Sequence, residues 1–238
     1  MGKLLKFEFS KLIKAKVFYI CLAISTFLVI LAAVITEKDF VSTTGYIRMY
    51  GSAAMLTTIL AIAVCCFVCE DAQCGAEKTV LGRGISRNKF FFAKYISSLV
   101  ATFIFSLVII GITSIVAVIR YDYVTDNTIV PAIFLSLLGI LMLHGFFFGV
   151  STISGKTGVA IAMTILIPMV LSVVAAVLDY FFPIDGFSFG VISISDTFTR
   201  LGMYTEMNAD MGWSIAVAII IPIGMVVAGR EIYIRKEN

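Results

Sequence analysis

The sequence predicts an all-α membrane protein with six transmembrane helices, and three observations predict it. Hydrophobic residues make up 60% of the 238-residue chain and charged residues 14%, with a mean hydropathy of +1.05; soluble domains are about 45–50% apolar and about 25% charged. Six segments, 17–36, 49–69, 95–119, 129–153, 157–178 and 211–229, contain no Asp, Glu, Lys or Arg. Each approaches or exceeds the ~20 residues a helix needs to cross a ~30 Å hydrocarbon core. The basic residues cluster beside alternate ends of those segments. Apolar runs this long satisfy their backbone amides as helices, and the short alternating segments of an outer-membrane barrel are absent.

The first element, within residues 1–16, is an amphipathic helix lying on the membrane surface. At 100° per residue Leu5, Phe9, Leu12 and Ile13 share one arc, while Lys3, Lys11 and Lys14 gather opposite. The first span follows and is expected to be retained, because no Ala-x-Ala-like cleavage pattern precedes Glu37. Loops 37–48 and 120–128 are short, which makes the first two helix pairs tight hairpins. Gly145 and Gly149 in the fourth span permit close helix approach, and Pro168 and Pro222 remove backbone donors inside the fifth and sixth. The segment 179–210 mixes Phe181, Phe182, Phe187, Phe189, Val191, Ile192, Ile194 and Phe198 with Asp, Ser and Gly. It is too broken to span and too apolar for a free loop, so short re-entrant helices buried against the spans are expected.

Charge sets the orientation. Segment 1–16, the 70–94 loop, Lys156 and the tail carry fourteen of the 18 Lys and Arg; the other side carries Lys38, Arg48, Arg120 and Arg200. The positive-inside rule therefore places both termini in the cytoplasm. A net charge of +3, gathered beside apolar spans, speaks for membrane orientation and against nucleic acid.

Several chemistries find no residues to carry them. Ion-coupled carriers place titratable groups near mid-membrane, and here the spans hold only His144, which reads as a hydrogen-bonded packing residue. A metalloprotease needs His-Glu-x-x-His, and the chain has one His. Cys66-x-x-Cys69 lies inside an apolar helix without a second ligand pair, so the five cysteines read as packing residues and no metal site is expected. Ser154-Gly155-Lys156-Thr157 has the Gly-Lys-Thr of a phosphate loop, but Val150 stands where that motif needs glycine. It reads as a turn, so no ATP site, catalytic residue or cofactor is expected on this chain. Glu231 and Arg235 read as a solvated charge pair.

The most patterned polar segment is the 70–94 loop. It opens on Glu70 and Asp71, allows a short helix at 76–81, breaks at Gly82-Arg83-Gly84, and offers Ser86 as cap of a helix carrying Arg87 and Lys89 into the third span. This loop resembles the loop between spans two and three of ABC-2 type permeases, the transmembrane subunits of ATP-binding-cassette transporters. The resemblance rests on Glu70-Asp71, Gly75, Lys78, Leu81, Arg83-Gly84-Ile85-Ser86-Arg87, Phe90 and Lys94, on Glu8 and Lys11 in the opening helix, and on the six-span layout. It implies a bacterial cytoplasmic-membrane protein whose loop is a coupling helix, with Glu77, Lys78, Leu81, Arg83 and Arg87 contacting a cytosolic ATPase subunit that holds ATP and Mg. Leu5, Phe9, Leu12 and Ile13 would then form the elbow helix. Two permeases, identical or related, would pair around the substrate route, and small family members suggest export of a hydrophobic or amphipathic peptide. A self-contained carrier or channel and a membrane scaffold without transport activity are the alternatives.

Overall fold

The computed structural model describes residues 2–36, 46–47, 54–121, 129–182, 188–203 and 209–235. Expectations for residues 37–45, 48–53, 122–128, 183–187, 204–208 and 236–238, including Lys38, Arg48 and Lys236, lie outside the described residues. Among the described residues every regular element is helical. The helices are α1 (Gly2–Lys14), α2 (Lys16–Ile35), α3 (Ala54–Gln73), α4 (Ala76–Gly82), α5 (Arg87–Arg120), α6 (Ile129–Ser154), α7 (Thr157–Phe181), α8 (Ile194–Gly202) and α9 (Ala209–Arg235), with a 3-10 turn at Phe189–Ile192.

Five of these are long and apolar enough to cross a membrane: α2, α5, α6, α7 and α9. A sixth is added if Thr57–Gln73 and Ala76–Gly82, bent by 59°, count as one span. The chain is therefore built as a multi-pass membrane protein. Its outer surface agrees, because Phe27, Ile35, Ile119, Met169 and Ile220 stand exposed, a surface that lipid solvates and water does not.

The spans reach past the limits set by their charge-free segments. α5 has 34 residues, about 51 Å of helix at 1.5 Å per residue, and begins eight residues before the expected third span. α9 likewise carries Arg230, Glu231 and Arg235 as helix. Lys and Arg are good helix formers, so charge ends the apolar stretch without ending the helix.

Contacts define the two ends. At one, here called basal, Lys11 and Lys94 meet Asp71, Thr157 meets Gln73 and Arg230 meets Asn88. At the outer end Arg120 donates to the carbonyls of Val34 and Thr36, and the carboxylate of Asp179 accepts from Ser188 and Phe189.

α6 is the most enclosed span and packs against α9, α8, α3 and α7. Its glycines set that closeness, as the sequence predicts. A Cβ on Gly145 would lie 2.3 Å from Pro222 Cβ, and one on Gly149 would lie 2.7 Å from the Met225 carbonyl oxygen. Both helices bearing Pro168 and Pro222 run on through the prolines. Packing-cluster hydroxyls such as Ser106, Thr113 and Ser151 donate to carbonyls four residues back, which satisfies them without water.

The expected re-entrant segment contains the 3-10 turn and α8. Val191, Ile194, Phe198 and Leu201 are buried, whereas Phe181, Phe182 and Ile192 face outward. Phe198 packs against Gly139 of α6, where a Cβ would meet its ring at 2.7 Å. Ser193 caps α8 by accepting from the Asp196 amide.

Candidate functional site

The basal end brings together residues that lie far apart in sequence. Asp71, at the end of α3, accepts from Lys94 Nζ of α5 at 2.7 Å and from Lys11 Nζ of α1, and Lys11 also reaches Glu70 Oε2 at 3.3 Å. The Lys11 and Lys94 ammoniums lie over the rings of Phe67 and Phe90, 5.5 and 5.6 Å from the centroids. Beside them Glu8 is 0% exposed, and neither carboxyl oxygen has a hydrogen-bond partner among the described residues.

Charge counting explains what Glu8 does. Lys11 and Lys94 balance Asp71 and Glu70, so an ionised Glu8 would leave a buried negative excess. Burial pushes its carboxyl above the ordinary range, and the neighbouring Asp71 pushes the same way, against Lys94 and Lys11. Lys11 moves in the sense of its partners. Burial alone would lower it, but the hydrogen bond and charge of Asp71 outweigh that and hold the ammonium above its ordinary value.

In α1 the residues of the expected elbow are placed unequally. Of its four apolar residues Leu12 is buried, Leu5 and Phe9 are half-buried and Ile13 is 67% exposed. Lys11, expected on the solvated side with Lys3 and Lys14, turns inward instead. The helix meets protein on the face bearing Leu4, Glu8 and Leu12 and leaves Phe7 and Ile13 on its outside. It therefore has two apolar environments, where amphipathic periodicity assumed one.

α4 stands where the short loop helix is expected, held between two left-handed glycines, Gly75 (φ 70°) and Gly84 (φ 81°). A residue with a Cβ is strained in that conformation, so both turns depend on glycine. Of the five expected coupling residues, Lys78 and Arg83 are exposed and Glu77 is half-buried. The other two are turned toward the bundle. Leu81 packs inward on the cluster of Leu4, Phe90 and Ala93, and Arg87 Nη1 donates to the Ile234 carbonyl of α9 at 3.3 Å. Ser86 holds the N-cap position of α5, although its hydroxyl makes no capping bond.

The remaining candidates fall as follows. His144 is fully buried, with Nδ1 3.0 Å from Thr102 Oγ1 and its ring against Tyr95 and Phe148, the surroundings of a packing residue. Cys69 Sγ donates to the Ser151 carbonyl and Cys65 meets Thr164, so both pack α3 against its neighbours. Gly155, with φ 64°, and Lys156 form a tight turn between α6 and α7. Glu231 pairs with Arg230 at 2.9 Å and with exposed Arg235 at 3.8 Å.

Behind α4 lies a cavity of about 850 Å³, bounded by α5, the Gly155–Lys156 turn and the end of α9. Sequence reasoning found neither this cavity nor the joining of Lys11 to Asp71, which are 60 residues apart. The signals present were the unusual acid at Glu8 and the adjacent pair Glu70-Asp71.

A family model described as a protein of unknown function (DUF2705) matches residues 25–238. No curated protein and no solved structure matches the chain.

Proposed function

The chain belongs to the DUF2705 family of proteins of unknown function, and within it we propose a membrane-spanning permease subunit driven by a separate cytosolic ATPase of the ATP-binding-cassette class. The observation that carries this reading is α4. It is a short helix bracketed by two left-handed glycines, with Lys78 and Arg83 exposed while Leu81 anchors it inward. Such an element suits a dock, because force applied to it reaches α3 directly, α5 through Gly84, and α1 through the salt bridges on Asp71. The permease resemblance of the loop supports the same reading.

On this proposal the basal end faces the cytoplasm, where the positive-inside rule puts it, and the membrane is the bacterial cytoplasmic one. The permease works as a dimer with itself or a related chain. α7 supports that pairing, since it is the span least covered by the rest of the fold. The cargo is hydrophobic or amphipathic, such as a membrane-active peptide, and moves outward.

Co-purification tests the dock. Lys78→Glu with Arg83→Glu reverses two exposed charges without touching the Arg87 bond to α9. The expected result is loss of a cytosolic ATPase from the purified complex with insertion unchanged; undiminished ATPase would refute α4 as the dock. One observation favours a second reading, a proton-coupled carrier: Glu8 is a buried carboxyl without a hydrogen-bond partner among the described residues. Liposomes holding the chain alone decide between them, since uptake of cargo driven by an ion gradient would establish the carrier and remove the ATPase.

A further inference from the structure

A second cavity, of about 460 Å³, opens at the corner between α1 and α2, away from α4. Three helices wall its length: Val17 and Phe18 of α2, Leu60, Val64 and Phe67 of α3, and Ala101 of α5. Polar atoms along this wall are few. Ser98 donates to the Tyr95 carbonyl at 3.0 Å, Thr102 Oγ1 lies 3.0 Å from His144 Nδ1, and the Cys66 thiol is a weak donor. Water finds too few partners on such a wall to fill it, whereas an alkyl chain gains by lying along it.

The mouth is different. Lys14, Lys16, Glu70, Gln73 and Thr157 gather there. Thr157 donates to Gln73 Oε1 at 3.1 Å, which leaves the Gln73 amide as a neutral donor. Glu70 is met by Lys11 at 3.3 Å, and Lys11 and Lys94 together balance Glu70 and Asp71. Lys14 and Lys16 are exposed and have no acid in ion-pair reach among the described residues. The mouth is therefore positive, and even an ionised Glu8 would leave it so.

The cavity also has the depth of one leaflet. From Glu70 at the mouth to Leu60 at the far end, α3 runs ten residues, about 15 Å of helix, and half of a ~30 Å hydrocarbon core is about 15 Å. Charge gives way to apolar sequence between Lys16 and Val17 on α2 and between Glu70 and Cys69 on α3. The mouth thus lies where headgroups meet hydrocarbon.

We propose that this cavity holds one acyl chain of a membrane amphiphile with an acidic headgroup, the chain lying along α3 and the headgroup between Lys14 and Lys16. A soluble anion would use the lysines and leave the wall unmatched; a neutral lipid would use the wall and leave the lysines unmatched. An acidic phospholipid and a free fatty acid share the required chemistry. The occupant completes the packing of α2, a span little covered by the rest of the fold. The site goes beyond the docking reading and stands without it, because its ligand comes from the membrane.

Photolabelling tests it on the purified full chain in detergent, with no ATPase present, so failure of the docking reading would not alter the outcome. The probe is phosphatidylglycerol with a diazirine midway along one acyl chain, and peptide mass spectrometry locates the adducts. The expected result is labelling concentrated on residues 60–67 and 98–102, competed at least about tenfold better by unlabelled phosphatidylglycerol than by phosphatidylcholine. Palmitate is the third competitor: stronger competition than phosphatidylglycerol assigns the site to a free fatty acid, weaker competition to the phospholipid, and either keeps it. Lys14→Ala with Lys16→Ala should lower the labelling about tenfold, and Lys14→Arg with Lys16→Arg should retain it. Both side chains are exposed, so these variants keep the fold. Labelling spread evenly over outward faces such as that of Phe27, equal competition by the two phospholipids, or undiminished labelling of the double alanine variant would overturn the site.

Discussion

Asp71 carries more of the basal end than any other side chain, because one buried carboxylate receives two ammoniums, each from a different helix. Such a pair contributes little over a well-packed apolar substitute, but removal of one partner strands the other charges. Lys94 is only 6% exposed, so Asp71→Ala should cost about 3–5 kcal/mol, read as a fall in the thermal unfolding midpoint in detergent. A variant within ~1 kcal/mol of the parent would show that the lysines escape to water. Glu8 acts in the opposite sense. Its carboxyl is held above the ordinary 4.5 chiefly by burial, so the unfolded chain gives up the proton at lower pH than the folded one. The associated stability is complete below pH 4.5 and is lost as pH rises through the folded value. The Lys11 contribution is complete at every pH below 10.5 and fades only above that. Glu8→Gln should therefore match the parent near pH 4 and equal or exceed it at pH 8, giving a flatter stability profile. A profile as steep as the parent's would exclude Glu8 as the titrating group.

Helix packing turns on where a Cβ has room. Gly145 touches the backbone of Pro222, which cannot withdraw as a flexible side chain could, whereas nothing lies within 4 Å of the corresponding point on Gly111 in α5. Gly145→Ala should therefore destabilise by about 1–3 kcal/mol through overpacking. Gly111→Ala should gain up to about 1 kcal/mol of helix propensity. Thermal unfolding of the two variants side by side checks the contrast, and equal midpoints would mean that α6 and α9 are less closely seated than their glycines indicate. The pair Gly145 and Gly149 was legible in the sequence because small residues four apart share a face. α4 was legible because glycines bracket it. The extents of α5 and α9 were not, because charge marks where lipid ends and the helices continue into water. Nor was the inward turn of Lys11: periodicity groups residues by face but does not say which face meets protein, and its partner Asp71 lies on a different helix.

The two ends of the molecule are tied by different means, and the contrast bears on movement. The basal end is held by buried charge. The outer end is held by a more exposed network in which Asp179 of α7 accepts from the amide of Phe189 at 2.6 Å and the hydroxyl of Ser188 at 2.9 Å. Arg200 of α8 donates to Ser188 at 2.7 Å and pairs with Asp210 of α9 at 3.8 Å. α7, α8 and α9 thus meet through Arg200, and any outward opening between α7 and α9 must break that junction first. Arg200 and Asp210 are each about one-third exposed, so solvent weakens the link and its loss should cost only about 1 kcal/mol. That is enough to act locally, since about 1.4 kcal/mol is a tenfold change in an opening equilibrium. Arg200→Ala should therefore raise amide hydrogen exchange across 188–203 several-fold while leaving α1, α4 and the start of α5 unchanged. Exchange that rises at both ends together would mean that the bundle opens as one unit. Exchange that rises at neither would mean that α8 is held by Phe198 against Gly139, with the polar network contributing nothing to closure.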